Sequence, residues 1–364
     1  MSKKTLILHD TFLYKGGGER LILMMAKALK ADIASGFFSS GSFDLRKEGF
    51  EGKMIPISGE IFKKGFRHIK LKYAFLFKTK FIKSYDTLIF SGDSISAVRN
   101  ASKNQKKIYY CHTPPRYLYD LHNLYLEKVP KYLKGVFTFT CKIFRKMYES
   151  DIKKMDLILT NSINTQKRIK EFLNIDSEVL YPPVDLAKFK YLGQKDYYMS
   201  FARLSDAKRV DRIIEAFKQM PDKKLICTYG VNDPQKEKIF ELAKGMENIT
   251  FIKSPLDSEF VEIMGNAIAT IYIPIDEDFG MSSIESMSCG KPVIGVNDGG
   301  LKETIIGEKT GILIDKEARV EDIINAVNLL TPEKSLEMRY ECEYRAKEFS
   351  LENFEKLINN FVNN

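Results

Sequence analysis

Two glutamates eight positions apart, Glu277 and Glu285, flank the run Asp278-Phe279-Gly280-Met281-Ser282-Ser283-Ile284, which turns from the end of a strand pattern into the start of a helical one. These types suit one elongated anionic ligand. A loop carboxylate at Glu277 can hold sugar hydroxyls. The N–H groups that a helix start leaves unpaired around Gly280, Met281, Ser282 and Ser283, with either serine as cap, can bind diphosphate. Glu285, within the first helical turns, can accept hydrogen bonds from a ribose. An acidic loop beside a surface glutamate would explain the charges but not the whole run.

Three further pieces suit the same ligand chemistry. Gly16-Gly17-Gly18-Glu19 follows the first strand pattern and opens a helix, so the amides of Gly17 and Gly18 can approach a phosphate or sugar. The run is neither a P-loop, since no Gly-Lys-Ser/Thr follows, nor the G-x-G-x-x-G of dinucleotide binders. His112 follows an apolar strand pattern and precedes Pro114 and Pro115. A rigid turn should hold it at a strand's C-terminal edge, where α/β sheets bind ligands. Asp10 has the same kind of place after the first strand. His9, His68 and His122 have no supporting motif and read as structural or surface residues. With no Asp-x-Asp after a strand and no His/Cys cluster at ligand spacing, no metal site is expected.

Positioning these groups takes short buried strands alternating with longer helices, and the chain shows that alternation. Strand patterns fall at 5–8, 33–38, 87–91, 107–111, 157–160 and 178–180, with helical spacing at 19–29 and 164–172. Tyr181-Pro182-Pro183-Val184-Asp185 then interrupts, because paired prolines fit neither a helix interior nor a central strand. Strands recur at 197–201, 224–229, 249–252, 269–273, 292–296 and 311–314. Helices are expected at 210–219, 235–244, 258–266, 282–288, 320–330 and 335–348. The expectation is an α/β protein of two doubly wound domains, 1–185 and 186–348, followed by a helix at 349–364 with Phe354, Leu357, Ile358 and Phe361 on one face.

At 364 residues, 44% hydrophobic and 29% charged, the composition is globular and large enough for about two domains. Residues 1–190 hold 35 basic and 18 acidic side chains, and 191–364 hold 22 and 30, which suits an anionic partner for the first half or, equally simply, two domains of different surface charge. Basic and aromatic residues interleave at 61–83 and 125–154, a pattern that suits an anionic bilayer surface or, equally, amphipathic helices with their rings in the core. No RNP, KH or zinc-finger signature accompanies it, and nucleic acid is not expected as a partner. No run of about 18 apolar residues predicts a membrane span. Five scattered cysteines without a C-x-x-C pair read as reduced thiols of an intracellular protein.

With these motifs the sequence resembles glycosyltransferase family 4, the retaining nucleotide-sugar transferases, whose E-x7-E signature matches Glu277 to Glu285. Gly16 to Glu19, His112-Thr113-Pro114-Pro115-Arg116-Tyr117, Asn161-Ser162, Tyr181 to Asp185, Phe201-Ala202-Arg203-Leu204 with Lys208-Arg209, and Gly299-Gly300 with Glu303 follow in the family's order. The resemblance implies a GT-B fold, two Rossmann-like domains facing a central cleft, with the donor mainly on the second domain, the acceptor on the first, and the last helix packing back on the first. It implies that Arg203 and Lys208 neutralise the donor diphosphate, that Glu285 holds the ribose, and that Glu277 contacts the transferred sugar. His112 would meet the donor sugar or its phosphate, and Asp10 and Arg116 the acceptor. No metal or other cofactor is implied.

Three places depart from the family's pattern: Asp278 where Gly is frequent, Ser282 or Ser283 where a Pro is common, and Tyr229-Gly230-Val231-Asn232-Asp233 where a Gly-rich turn is usual. The His112 to Tyr117 run with Asp120 looks most like a mannosyltransferase subgroup acting on lipid-linked O-antigen-type oligosaccharides. That implies GDP-mannose as donor, a lipid-linked or other saccharide acceptor, and a cytoplasmic protein in peripheral contact with the inner face of a membrane. A GT-B nucleotide-sugar epimerase and a noncatalytic membrane- or nucleic-acid-binding protein on the same fold are the alternatives.

Overall fold

The wholly buried runs β1 (Thr5–His9) and β4 (Thr87–Ser91) form the middle of a parallel sheet, where residues covered on both faces read as unbroken apolar stretches. This is a computed structural model that describes residues 4–59 and 64–363. The same sheet contains β2 (Asp32–Ser35), β3 (Met54–Pro56), β5 (Lys106–Cys111), β6 (Leu157–Thr160) and β7 (Glu178–Val179), in the order β3-β2-β1-β4-β5-β6-β7. A second parallel sheet holds β8 (Tyr198–Ser200), β9 (Leu225–Tyr229), β10 (Ile249–Lys253), β11 (Thr270–Tyr272), β12 (Val293–Val296) and β13 (Gly311–Ile314), in the order β10-β9-β8-β11-β12-β13. Both are doubly wound, and the strand order reverses between β1 and β4 in one and between β8 and β11 in the other. Ligands of such sheets bind at that reversal, beyond the strands' C-terminal ends.

The helices are α1 (Gly17–Ala28), α2 (Lys64–Phe77), α3 (His122–Glu127), α4 (Lys134–Ile152), α5 (Ile163–Leu173), α6 (Val210–Lys218), α7 (Lys236–Leu242), α8 (Asp257–Asn266), α9 (Met281–Ser288), α10 (Leu301–Thr304), α11 (Val320–Leu329), α12 (Pro332–Lys347) and α13 (Leu351–Asn363). The chain divides into two compact units, Met1–Pro182 with Phe354–Asn364, and Pro183–Asn353. The division falls inside the Tyr181 to Asp185 run.

Two expectations change. β3 was not anticipated, because Met54-Ile55-Pro56 is too short to show a period and sits at a sheet edge, where proline is tolerated. The buried face of α13 is Phe354, Ile358 and Val362, at intervals of four, while Leu357 is exposed. All five cysteines are free thiols and buried. Among the described residues no helix is long and apolar enough to cross a membrane.

Candidate functional site

In the second unit, the site is built where β8 and β11 end. A 3₁₀ turn, Asp206–Lys208, carries the chain away from β8 and ends at Arg209. Arg209 is buried in a left-handed conformation (φ 53°), and its guanidinium spans three backbone carbonyls, at Ile273 (2.7 Å), Pro274 (3.0 Å) and Lys316 (2.6 Å). The Ile275 amide donates to the carbonyl of Ala207 at 2.8 Å. The Lys208 turn and the loop after β11 are thereby tied together. As a result Lys208 Nζ lies 2.5 Å from Oε2 of Glu277 and 2.7 Å from the hydroxyl of Tyr272.

Gly280 caps α9 at φ 90°, a conformation that favours glycine, and a Cβ there would stand 2.6 Å from Leu301 Cδ2. This corrects the expected cap. Neither serine is the N-cap: Ser282 and Ser283 lie inside the helix. Ser283 is also unavailable to a ligand, because its amide and hydroxyl bond the Gly280 carbonyl, at 3.1 and 2.7 Å, and its hydroxyl is 2.8 Å from Thr304 Oγ1. Met281 and Ser282 keep their places in the first turn, where helix amides point outward. Glu285 follows in α9 and is nearly buried.

Arg203 is largely exposed, its Nε 3.5 Å from Oδ1 of Asp233. Asp233, which the sequence did not single out, is buried and accepts from the amides of Leu204 (2.9 Å) and Gly230 (3.0 Å). It thus closes the Tyr229 to Asp233 turn and anchors the Arg203 loop to it.

In the first unit, His112 stands at the end of β5, held by the Thr165 hydroxyl on its carbonyl (3.3 Å) and by Arg168 on Thr113 Oγ1 (2.7 Å). Its Nε2 is 2.9 Å from Ser91 Oγ, which is 3.1 Å from His9 Nδ1. Burial pushes the His112 imidazole down to about 4. Burial, and then His112 itself, push His9 to about 3, so both rings are neutral near pH 7. Gly18 faces this ring at ordinary contact distance, since a Cβ there would be 3.8 Å from His112 Cε1.

The glycine run differs from expectation in one respect. The Glu19 side chain folds back on the run, since a Cβ at Gly16 would stand 2.5 Å from its Oε2, and burial raises its carboxyl above the usual range. Gly17 and Gly18 form the start of α1 beyond it.

Asp10 Oδ1 accepts from the Ser94 amide at 3.1 Å. Burial, with Asp93 adding repulsion, raises its carboxyl to about 7, against the opposing pull of His68 and Lys72. Asp93 bonds both His68 Nδ1 and Lys72 Nζ at 2.9 Å. His9 and His68, expected to be bland, therefore belong to polar networks at the sheet edge, whereas His122 bonds the Tyr117 carbonyl. A serine, glycine and aspartate directly after an apolar strand, Ser91-Gly92-Asp93, was the signal that would have found them. Arg116 pairs with Asp120, its Nη2 2.6 Å from Oδ2. No group of three His, Cys, Asp or Glu side chains placed to hold a metal occurs among the described residues.

The two basic and aromatic stretches place some of their side chains in the core and leave others exposed. Phe75 and Tyr148 are core residues, and Lys72 is buried against Asp93 with its ammonium 5.0 Å from the Phe144 ring centre. On the outer faces, Tyr73 and Phe77 of α2, and Val136, Phe139 and Ile143 of α4, are exposed at helical spacing, with Tyr132 exposed just before α4. Exposed Lys70, Lys78, Lys142 and Lys146 lie among them. Ile61, Phe62 and Lys63 lie outside the described residues.

With this architecture in place, comparison fixes the class. Residues 185–349, most of the second unit, match the family described as glycosyl transferases group 1, and the chain is a glycosyltransferase of the GT-B fold. It is similar to alpha-1,3/1,6-mannosyltransferase ALG2 of Dictyostelium discoideum, 26% identical over 98% of this chain and 97% of that one. The human protein of that name is 25% identical over 86% and 84%. Among solved structures, Anabaena HepE in complex with UDP and glucose shares the fold with TM-score 0.76 at 16% identity, over 99% of each chain. Sucrose-phosphate synthase of Thermosynechococcus elongatus does so with TM-score 0.78, also at 16% identity, over 99% of this chain and 98% of that one.

Proposed function

We propose that the chain is a retaining hexosyltransferase of glycosyltransferase family 4 that moves mannose from GDP-mannose to a lipid-linked or other saccharide acceptor in glycan biosynthesis. The observation that carries the reading is the pairing of Lys208 with Glu277 beside the start of α9, at the reversal point of the second sheet. Likeness to ALG2 mannosyltransferases along nearly the whole chain favours mannose.

In this reading Arg203 and Lys208, with the amides at Gly280, Met281 and Ser282, face the donor diphosphate. As the sugar–phosphate bond breaks, negative charge collects on the β-phosphate, and these fixed donors stabilise it where it develops. No metal or other cofactor has a part in the scheme. Glu285 holds the ribose, and Glu277 positions the sugar hydroxyls. The acceptor oxygen attacks from the face that the phosphate leaves, and the phosphate takes the acceptor's proton, so the new C–O bond keeps the old configuration. On the first unit, His112 with Gly17 and Gly18 serves the donor's sugar end, and Asp10 and Arg116 serve the acceptor. The exposed rings and lysines of α2 and α4 suit peripheral contact with an anionic membrane carrying a lipid-linked acceptor.

The test is mass analysis of product made from GDP-mannose and a lipid-linked acceptor. Glu285→Ala and Arg203→Ala are each expected to lower transfer by about a hundredfold or more with the fold unchanged. Unchanged turnover in both would remove the site assignment. A new sugar nucleotide formed from donor alone would favour an epimerase instead.

A further inference from the structure

One group around Lys208 has no part in the scheme above: the phenol of Tyr272, the last residue of β11. Its side chain is 4% exposed, and its hydroxyl lies 2.7 Å from Lys208 Nζ, with that ammonium 5.0 Å from its ring centre. The Phe201 ring stacks on it, 6.3 Å away and 13° from parallel.

Hydrogen-bond accounting gives each contact a direction. An ammonium only donates, so the Tyr272 oxygen accepts from Lys208. Lys208 has three N–H donors, one directed to Glu277 and one to Tyr272. The third has no such partner among the described residues.

We propose that Tyr272 is a positioning residue, whose hydroxyl aims the third ammonium proton of Lys208 at the diphosphate of the donor. The proposal rests on the reading of Lys208 given above. A lysine held by Glu277 alone is a flexible stem ending in a neutralised ion pair. A neutral acceptor on a buried, stacked ring adds a fixed second hold without cancelling the charge. A phosphate oxygen then meets an ammonium already oriented toward it.

The experiment is calorimetric binding of GDP, GMP, UDP and UMP to the full chain, with ligand-free melting as the control for fold. The wild type is expected to bind the diphosphate of one base more tightly than its monophosphate. Tyr272→Phe keeps the ring and its stack, and should lose about tenfold in diphosphate affinity, the worth of a hydrogen bond to a charged group, with monophosphate affinity and melting unchanged. Lys208→Met should lose at least as much. The double variant should bind like Lys208→Met alone, because the hydroxyl acts only through the ammonium. Equal weakening of mono- and diphosphate, additive losses in the double variant, or no loss in Tyr272→Phe would overturn the proposal and leave Lys208 in place. A wild type without preference for either diphosphate would overturn the reading of Lys208 and this proposal with it.

Discussion

Gly299 lies against the backbone of Glu277: a Cβ at position 299 would stand 2.4 Å from the Glu277 carbonyl oxygen and 2.7 Å from its nitrogen. The contact is continued by Gly300, whose amide donates to that carbonyl at 2.8 Å. The site carboxylate is therefore seated on a loop that must have no side chain, and Gly299 adds a left-handed φ of 55°. Gly299→Ala is expected to lower stability by about 2–3 kcal/mol and to depress transfer further than that loss explains. Urea denaturation beside an activity assay checks both. A wild-type midpoint would show that the loop can yield.

Asp233 joins the Arg203 loop to the turn after β9 through two buried amides. Asp233→Ala leaves the amides of Leu204 and Gly230 without their acceptor, which should cost about 2 kcal/mol of stability. Because Arg203 also loses its neighbour, the KM for donor should rise. Steady-state kinetics against donor concentration separates this from lost stability alone, which lowers the amount of active enzyme without changing KM.

Acidification should destabilise the protein through its buried imidazoles. His9 and His112 titrate near 3 and 4 when folded, against an ordinary 6.5, so between pH 6.5 and 4 the unfolded chain binds more protons and stability falls with pH. Asp10 opposes them. Its carboxyl, raised from 3.8 to about 7, contributes stability that is complete below 3.8 and is lost as pH rises through 7. His112→Asn should flatten the dependence between pH 6 and 4.5 by up to about one proton, and Asp10→Asn should steepen it. Denaturant midpoints across that range measure both slopes, and two variants parallel to wild type would refute the assignment.

The exposed stripe of α4 gives a test of membrane contact. Val136→Glu with Phe139→Glu changes side chains that are 62% and 66% exposed, so stability should move by less than about 0.5 kcal/mol. Sedimentation with anionic vesicles should fall several-fold, and binding by the wild type should weaken as salt is raised. Vesicle binding unaffected by the two glutamates would place the contact elsewhere.

Strands were legible in sequence because a parallel strand buried on two faces is a short apolar run, as in Thr87–Ser91, whose expected and observed limits coincide. The loop carrying Glu277 was legible by its spacing to Glu285. What escaped were residues whose role is made by contacts distant in sequence. Tyr272 lies within a strand pattern and reads as core. Asp233 reads as a turn aspartate, and Arg209 as a second cation next to Lys208, although its guanidinium is spent on backbone carbonyls. The serine cap failed for a related reason: a glycine in the left-handed region begins α9, and this conformation leaves no trace in side-chain pattern.

The five buried thiols make each sheet its own reporter. Cys111 and Cys141 belong to the first unit and Cys227, Cys289 and Cys342 to the second, with burial pushing the pKa of the last four above the ordinary thiol value. A maleimide pulse should find none of them in the native protein and should modify each only when its own unit opens. Peptide mapping after such pulses would read the opening of the two units separately, in a single sample, without an engineered label.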